Sequence, residues 1–326
     1  MEYLPKFQLF RPLSVEQAAA LYAENDGARF LAGGTDMIVN MRRGIETPAA
    51  LIDLSQIPEL GDIHEENDGM RIGAAVTLEQ LAAHAAIARD YPAVAEAAAA
   101  IAGPTHRAYG TVGGNLCLDT RCIFYNQSEW WRSSNAYCLK HRGEICHVAP
   151  GGQACFAAYS GDLAPALLVH DARIELIGPE RRRDIPLGDF FRDDGMDHLA
   201  IEKGEILASV MLPKASAGAP SAYAKSRIRG AIDFPVAGLA ALLTLRGGGI
   251  EKLRIALTAV NPRPLVVDGT DAFNGAEVND NMLDKLAELA SSQAKPMTTT
   301  TVSPWYRRRV IGALARRLVA RLAEIE

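Results

Sequence analysis

Thr111-Val112-Gly113-Gly114-Asn115 opens a segment that closes on Ser160-Gly161-Asp162, and every cysteine of the 326-residue chain lies between the two: Cys117, Cys122, Cys138, Cys146 and Cys155. Cysteine confined to one window is a local device and not part of a distributed core. The spacing is C-x4-C-x15-C-x7-C-x8-C. Structural zinc sites use close pairs about two to four residues apart, and only Cys117 and Cys122 approach that. Thiolates from a long irregular loop also bind iron–sulfur clusters, whose ligand spacings are diverse. An odd number of cysteines fits a disulfide framework poorly. Spacing alone leaves three readings open: a cluster, a zinc site, or thiols without metal. His141 and His147 stand in the same segment as substitute ligands. Cys117, beside the glycine motif, is the thiol to leave over, packed as a small hydrophobe. Phe124-Tyr125, Trp130-Trp131 and Tyr137 supply either a small core for the segment or a docking face for a partner subunit.

Working outward, a second paired-glycine motif, Gly33-Gly34-Thr35-Asp36, follows the short strand Arg29-Phe30-Leu31-Ala32 and precedes Met37-Ile38-Val39-Asn40-Met41. Paired glycines allow positive φ and close backbone approach. Successive N–H groups in such turns make anion-binding concavities. Two such loops can grip the two phosphates of one dinucleotide. Neither matches G-x-G-x-x-G, which disfavours a Rossmann reading.

The elements around these motifs alternate. Ser14-Val15-Glu16-Gln17 is a capping box before a helix ending near Asn25. Ala50–Asp53 and Met70–Ala74 read as strands. Thr77-Leu78-Glu79-Gln80 caps a helix expected to run to about Arg89, and Pro92 starts another to about Ala102. Thr105–Gly110 reads as a loop holding His106 and Tyr109. Pro165–Val169 is helix or strand, Arg173–Ile177 a strand, Leu187–Arg192 a short helix and Ile206–Leu212 a strand. The last third shows strands over Ala222–Arg229, Val236–Leu245 and Leu253–Val260, a hairpin at Gly247-Gly248-Gly249, and helices over Asn281–Ser291 and Ser303–Ile325. Strands followed by helices indicate an α+β domain. The expected organisation is a first subdomain over 1–55, a second over 56–215 carrying the inserted loop 116–161, and a C-terminal α+β domain over 216–326 with a three-stranded antiparallel sheet.

A content of 48 % hydrophobic and 22 % charged residues is that of a soluble globular protein. A net charge of −5 argues against nucleic-acid binding. The N-terminus Met1–Pro5 shows no export signal, and no apolar run reaches the roughly 20 residues of a membrane helix. A cytoplasmic location is expected. In a reducing cytosol, clustered cysteines serve metals or redox work more often than disulfides.

Taken together, Leu31-Ala32-Gly33-Gly34-Thr35-Asp36, Thr111-Val112-Gly113-Gly114-Asn115 and Gly161-Asp162-Leu163-Ala164-Pro165, with Glu205-Ile206-Leu207 and Tyr223-Ala224-Lys225, resemble the FAD-binding subunits of the xanthine dehydrogenase / molybdenum hydroxylase family. The resemblance spans nearly the whole chain. It implies the two-part α+β FAD-binding fold of that family, followed by the C-terminal α+β domain. It implies FAD held by Phe30, Leu31, Ala32, Gly33, Gly34, Thr35, Asp36 and Met37 and by Thr111, Val112, Gly113, Gly114 and Asn115. Asp162 is placed at the ribose or adenine, and Ile101, Leu207 and Lys225 near the flavin. No catalytic residue is expected in this chain.

Family members pass from the Gly-Gly-Asn motif to the aspartate in a short turn. The long insert here, with Asp119-Thr120-Arg121-Cys122 and Tyr125–Arg132, is similar to that of the flavoprotein subunits of the 4-hydroxybenzoyl-CoA reductases. That likeness implies a 4Fe-4S cluster on Cys122, Cys138, Cys146 and Cys155, with Cys117 free. It also implies an oxidoreductase of anaerobic aromatic degradation. This chain would be its electron-transfer subunit, taking electrons from a low-potential donor such as ferredoxin. Partner subunits would carry 2Fe-2S centres and the molybdenum cofactor in an (αβγ)2 assembly, and the thioester would react there. Two alternatives stand beside this expectation: a flavoprotein subunit of an oxidative molybdenum hydroxylase, and a zinc-stapled assembly module.

Overall fold

The computed structural model describes residues 3–325; Met1 and Glu2, the start of the N-terminal stretch read above, lie outside them. Three sheets organise the chain. The first is parallel and three-stranded, with Ala50–Asp53 central between Gln8–Phe10 and Ala28–Leu31. Parallel neighbours need crossovers, and the helices Val15–Glu24 and Met37–Arg42 provide them. Ser14 caps the first of these by accepting from Gln17 N–H. Val15, Ala18, Ala28 and Ile52 pack there with Ile177, Ile206 and Ala208 of the second sheet, so the two units share a core.

The second sheet is antiparallel and five-stranded, in the order Ile63–Glu66, Gly69–Gly73, Ile206–Pro213, Arg173–Ile177, Arg182–Pro186. Helices Leu78–Ala83, Ala85–Asp90, Pro92–Ala100 and Leu163–Leu168 bury its inner face. The third sheet is antiparallel, with Ala237–Arg246 between Ser221–Ser226 and Gly249–Thr258. Leu239, Ala241 and Leu243 face the helices Asp280–Gln293 and Pro304–Leu322, while Ala240 and Leu242 join the main core. Burial on both faces explains why this strand reads as a continuous apolar run. The class is α+β. Among the described residues no helix is long and apolar enough to cross a membrane.

Several expectations need correction. The C-terminal sheet has a fourth strand, Leu265–Val266. The edge strands Gln8–Phe10, Ile63–Glu66 and Arg182–Pro186 carried no apolar signal because solvent covers much of them. The helix expected to reach Arg89 breaks at His84, which ends one helix and caps the next. The loop after Gly103 begins with a helical turn, Pro104–Arg107. The strand expected to Arg229 ends at Ser226. The inserted loop contains the helix Glu129–Ser134, capped by Ser128, so Trp130 and Trp131 are helical. Trp131 packs on Phe124, but Trp130 is 75 % exposed and contributes nothing to a core.

One core residue makes the fold sensitive to acid. His170 is fully buried, with Nε2 3.0 Å from Ser221 Oγ and Nδ1 without a partner. Burial pulls its pKa down to about 4. An unfolded imidazole titrates near 6.5, so between about pH 4 and 6.5 the unfolded chain binds a proton that the folded chain refuses. Stability is full above this window and falls as pH drops through it, by about 2 kcal/mol at pH 5 for this group. Urea midpoints at pH 7 and pH 5 should show that loss in the native chain and a smaller one in His170→Asn; equal losses would refute it.

Candidate cofactor-binding seam and cysteine recess

The two glycine motifs, far apart in sequence, meet in space. A Cβ on Gly33 would lie 1.7 Å from the Tyr109 carbonyl oxygen, and one on Gly110 3.5 Å from Thr35 Oγ1. Gly33 is therefore required by close approach, not by its dihedral angles. Among the four motif glycines only Gly34 has positive φ, at 70°. Gly113 and Gly114 are helical instead, in the turn Val112–Leu116 capped by Thr111. Gly113 packs against Ala74, where a Cβ would approach that residue's Cβ to 2.8 Å.

The loops differ in their free donors, contrary to the expectation of two equivalent amide cradles. Val112 and Gly113 donate to the Val76 and Ala74 carbonyls, Gly114 to Thr111 Oγ1 and Asn115 to the Thr111 carbonyl. The N–H groups of Gly33, Gly34, Thr35 and Asp36 have no acceptor among the described residues. An anion at this seam would meet the free amides of the first loop, with the second loop as its wall.

The seam continues through the remaining candidates. Asn115 Oδ1 accepts from Leu163 N–H at 3.1 Å, which stitches the second motif to Gly161-Asp162. The Asp162 carboxylate is buried and already committed: Oδ1 lies 2.9 Å from Lys225 Nζ and 2.6 Å from Tyr223 Oη, which donates to it. Burial pushes this carboxyl up, against the opposing pull of Lys225. Lys225 also donates to the Asp233 carbonyl. Ile101 and Leu207 are buried in the main core. Leu31, Ala32 and Met37 are partly buried along the first loop. Phe30 instead stacks on Tyr22, 4.8 Å between ring centroids, inside the first unit. Tyr109 is 68 % exposed at the meeting of the loops.

Cys122, Cys138, Cys146 and Cys155 are all buried and line one recess, with Phe124, Tyr125, Leu139, Lys140, His147, Val148 and Ala157. All five cysteines are free thiols. Burial pushes the Cys122 and Cys155 thiols up to about 11. Cys117 packs apart, against the main core, where burial takes its thiol to about 12. Among the described residues no three His, Cys, Asp or Glu are grouped to hold a single metal ion. The chemistry of the lining, four thiols with one histidine, is that of a soft metal or cluster site. Around Cys138, Ala136, Tyr137 and Arg142 take positive φ of 54°, 57° and 61°. Non-glycine residues in that region cost on the order of 1 kcal/mol each, and such strain clusters at sites the surrounding structure over-determines.

The insert is anchored to the first glycine loop. At its neck, Arg121 and Ala158 exchange backbone hydrogen bonds. The Arg121 guanidinium pairs with Asp36 and stacks over Phe234, 4.3 Å from the ring centroid. Asp36 accepts from Asn40 Nδ2 with its other oxygen. Sequence reasoning did not find this role for Arg121, although it quoted the residue, because nothing local to Arg121 points to Asp36.

A seam of free amides between the two glycine loops and a thiol-lined recess in the insert beside it are the two candidate sites of this α+β fold. The family description "FAD binding domain in molybdopterin dehydrogenase" matches residues 5–215, and "CO dehydrogenase flavoprotein C-terminal domain" matches residues 221–322. The chain is 36 % identical over 266 residues to the aldehyde oxidoreductase FAD-binding subunit PaoB of Escherichia coli, covering 78 % of this chain and 81 % of that one. It is 30 % identical over 318 residues to the carbon monoxide dehydrogenase medium chain of Afipia carboxidovorans, covering 97 % and 96 %. The solved carbon monoxide dehydrogenase from Hydrogenophaga pseudoflava superposes with a TM-score of 0.79 at 27 % identity, covering 97 % of this chain and 96 % of that one. The chain belongs to the FAD-binding subunits of the xanthine dehydrogenase and CO dehydrogenase family of molybdenum hydroxylases, an oxidoreductase family.

Proposed function

We propose that this chain is the FAD- and 4Fe-4S-binding electron-transfer subunit of a molybdenum enzyme of the 4-hydroxybenzoyl-CoA reductase type. The observation that carries the reading is the convergence of Cys122, Cys138, Cys146 and Cys155 on one recess, in an insert tied by Arg121 to the first glycine loop. When bound, FAD would exchange electrons singly or in pairs and the cluster would pass them singly, linking a low-potential donor such as ferredoxin to 2Fe-2S and molybdenum subunits in an (αβγ)2 assembly. Removing the ring hydroxyl takes in two electrons and two protons and releases water, on the partner subunit.

This chain's residues position and shield. The free amides from Gly33 to Asp36 meet the cofactor's phosphates, with Thr111–Asn115 as the facing wall. Asp162, held by Lys225 and Tyr223, orders the ribose side, and Ile101 and Leu207 close the apolar side. The four cysteines supply thiolates from a wall that is mainly aromatic and aliphatic, with Lys140 and His147 as its polar members. The cytoplasm is the matching compartment, since free thiols persist in a reducing environment.

The second reading, a flavoprotein subunit of an oxidative hydroxylase, is favoured by the relatives, which include an aldehyde oxidoreductase and carbon monoxide dehydrogenases. The third, a zinc-stapled module, has only the thiols in its favour. Anaerobic purification with partners, followed by iron, sulfide, zinc and FAD analysis and assay of 4-hydroxybenzoyl-CoA with a reduced viologen, separates them. Four irons per chain beyond those of the partners, one FAD and benzoyl-CoA formation are expected. FAD without extra iron would leave the oxidative reading. Zinc without flavin would sink both redox readings.

A further inference from the structure

We infer that Lys140 sets the reduction potential of the centre held by the four thiols, raising it by fixing a positive charge on the recess wall. The inference rests on the reading of the recess as a cluster site.

Lys140 is the one lysine, arginine, aspartate or glutamate among the residues lining the recess. Only 5 % of it is exposed. A buried ammonium is costly unless it is paired and hydrogen-bonded, and this one is. Its Nζ donates to Asp119 Oδ1 at 2.6 Å, to the Gly195 carbonyl at 2.9 Å and to Thr120 Oγ1. It lies 4.7 Å from the centroid of the Tyr125 ring. These contacts come from the N-terminal neck of the insert and from the separate loop at Gly195, so the charge is held on three sides inside the fold. The counter-charge Asp119 is not among the residues lining the recess. Of the two partners of this ion pair, it is the lysine that borders the recess.

Reduction of a thiolate-held centre adds one electron and no proton, so its negative charge grows by one. A fixed cation stabilises the reduced form more than the oxidised form, and the low dielectric of a buried site strengthens the effect. Lys140 therefore makes the centre easier to reduce. It is a positioning charge, not a ligand.

The test is a potentiometric titration of the anaerobically purified complex, followed by the EPR signal of the centre. In Lys140→Met the midpoint potential should fall, and in Lys140→Arg it should stay near the native value. In Asp119→Asn the ammonium remains without its counter-charge, and the potential should rise. The flavin potential should move in none of them. Opposite shifts from the two partners of one ion pair are what a merely structural staple would not produce. Native potential in an iron-replete Lys140→Met overturns the inference. If Lys140→Met loses its iron, an unchanged potential in Asp119→Asn overturns it. Absence of iron and sulfide from the native complex would overturn the cluster reading itself, and this inference with it; the native iron content therefore tells the two failures apart.

Discussion

Replacing Cys138 by alanine is expected to remove essentially all of the extra iron from the protein while leaving FAD bound. The four thiols that line the recess act as a unit, because a four-thiolate cluster loses a corner when one ligand is removed. Cys138 sits in the most constrained turn of the insert, with left-handed residues on both sides of it. A Cβ on nearby Gly143 would come within 2.7 Å of the Cys138 nitrogen, so the turn has little freedom to bring in another ligand. His147 also lines the recess, and with its Nε2 engaged by the Tyr137 carbonyl only Nδ1 is left to ligate. Cys117→Ala is the control. That thiol packs on the main core outside the recess, and its loss should leave the iron content unchanged. Iron and sulfide per chain with the FAD ratio check the pair. Retained iron in Cys138→Ala, or lost iron in Cys117→Ala, would reverse the ligand assignment. Loss of FAD together with iron would show that the insert supports the seam as well as the recess.

Gly33→Ala is expected to cripple FAD binding with the iron site intact. The added methyl would lie 1.7 Å from the Tyr109 carbonyl oxygen and 2.4 Å from its carbon. Backbone cannot swing aside as the end of a long side chain can, so the two glycine motifs must separate. Overpacking of this kind costs about 3 kcal/mol, and at 1.4 kcal/mol per tenfold the FAD affinity should fall on the order of 100-fold. The displaced loop carries the unbonded amides and Asp36, so donors and anchor move together. Gly34→Ala is a useful comparison, since its φ of 70° adds dihedral strain while its nearest neighbour is the flexible Ile38 side chain at 3.2 Å. It should weaken binding less. Fluorescence titration of apoprotein with FAD would measure both, and equal affinities in native chain and Gly33→Ala would show that the loop meeting has no part in the site.

The local grammar of this protein was open to reading in its residues. Ser14, Thr77 and Ser303 cap helices through contacts three residues away. The alternation in Arg173–Ile177 and the apolar run in Ala237–Arg246 report the faces those strands bury. The same holds for the confinement of the cysteines to one segment, whereas the set of four came from the resemblance and not from their spacing. Short edge strands and the interruption at His84 escaped, because two or three half-exposed residues carry no periodicity and a side-chain cap can end one helix as it begins the next. The conformational reason for the motif glycines was only partly legible. Positive φ applies to Gly34 alone, while Gly33 and Gly113 are demanded by backbone that arrives from elsewhere in the chain.

What only the tertiary structure decided are the meetings between distant segments. Gly33 against Tyr109, Arg121 on Asp36 and Lys140 between the recess and Gly195 each join residues dozens of positions apart. No periodicity or capping rule carries that information. It arises when the sheets pack and bring their loops together, where the free amides of one loop meet the engaged amides Val112–Asn115 of the other and the buried ammoniums Lys225 and Lys140 find their carboxylates.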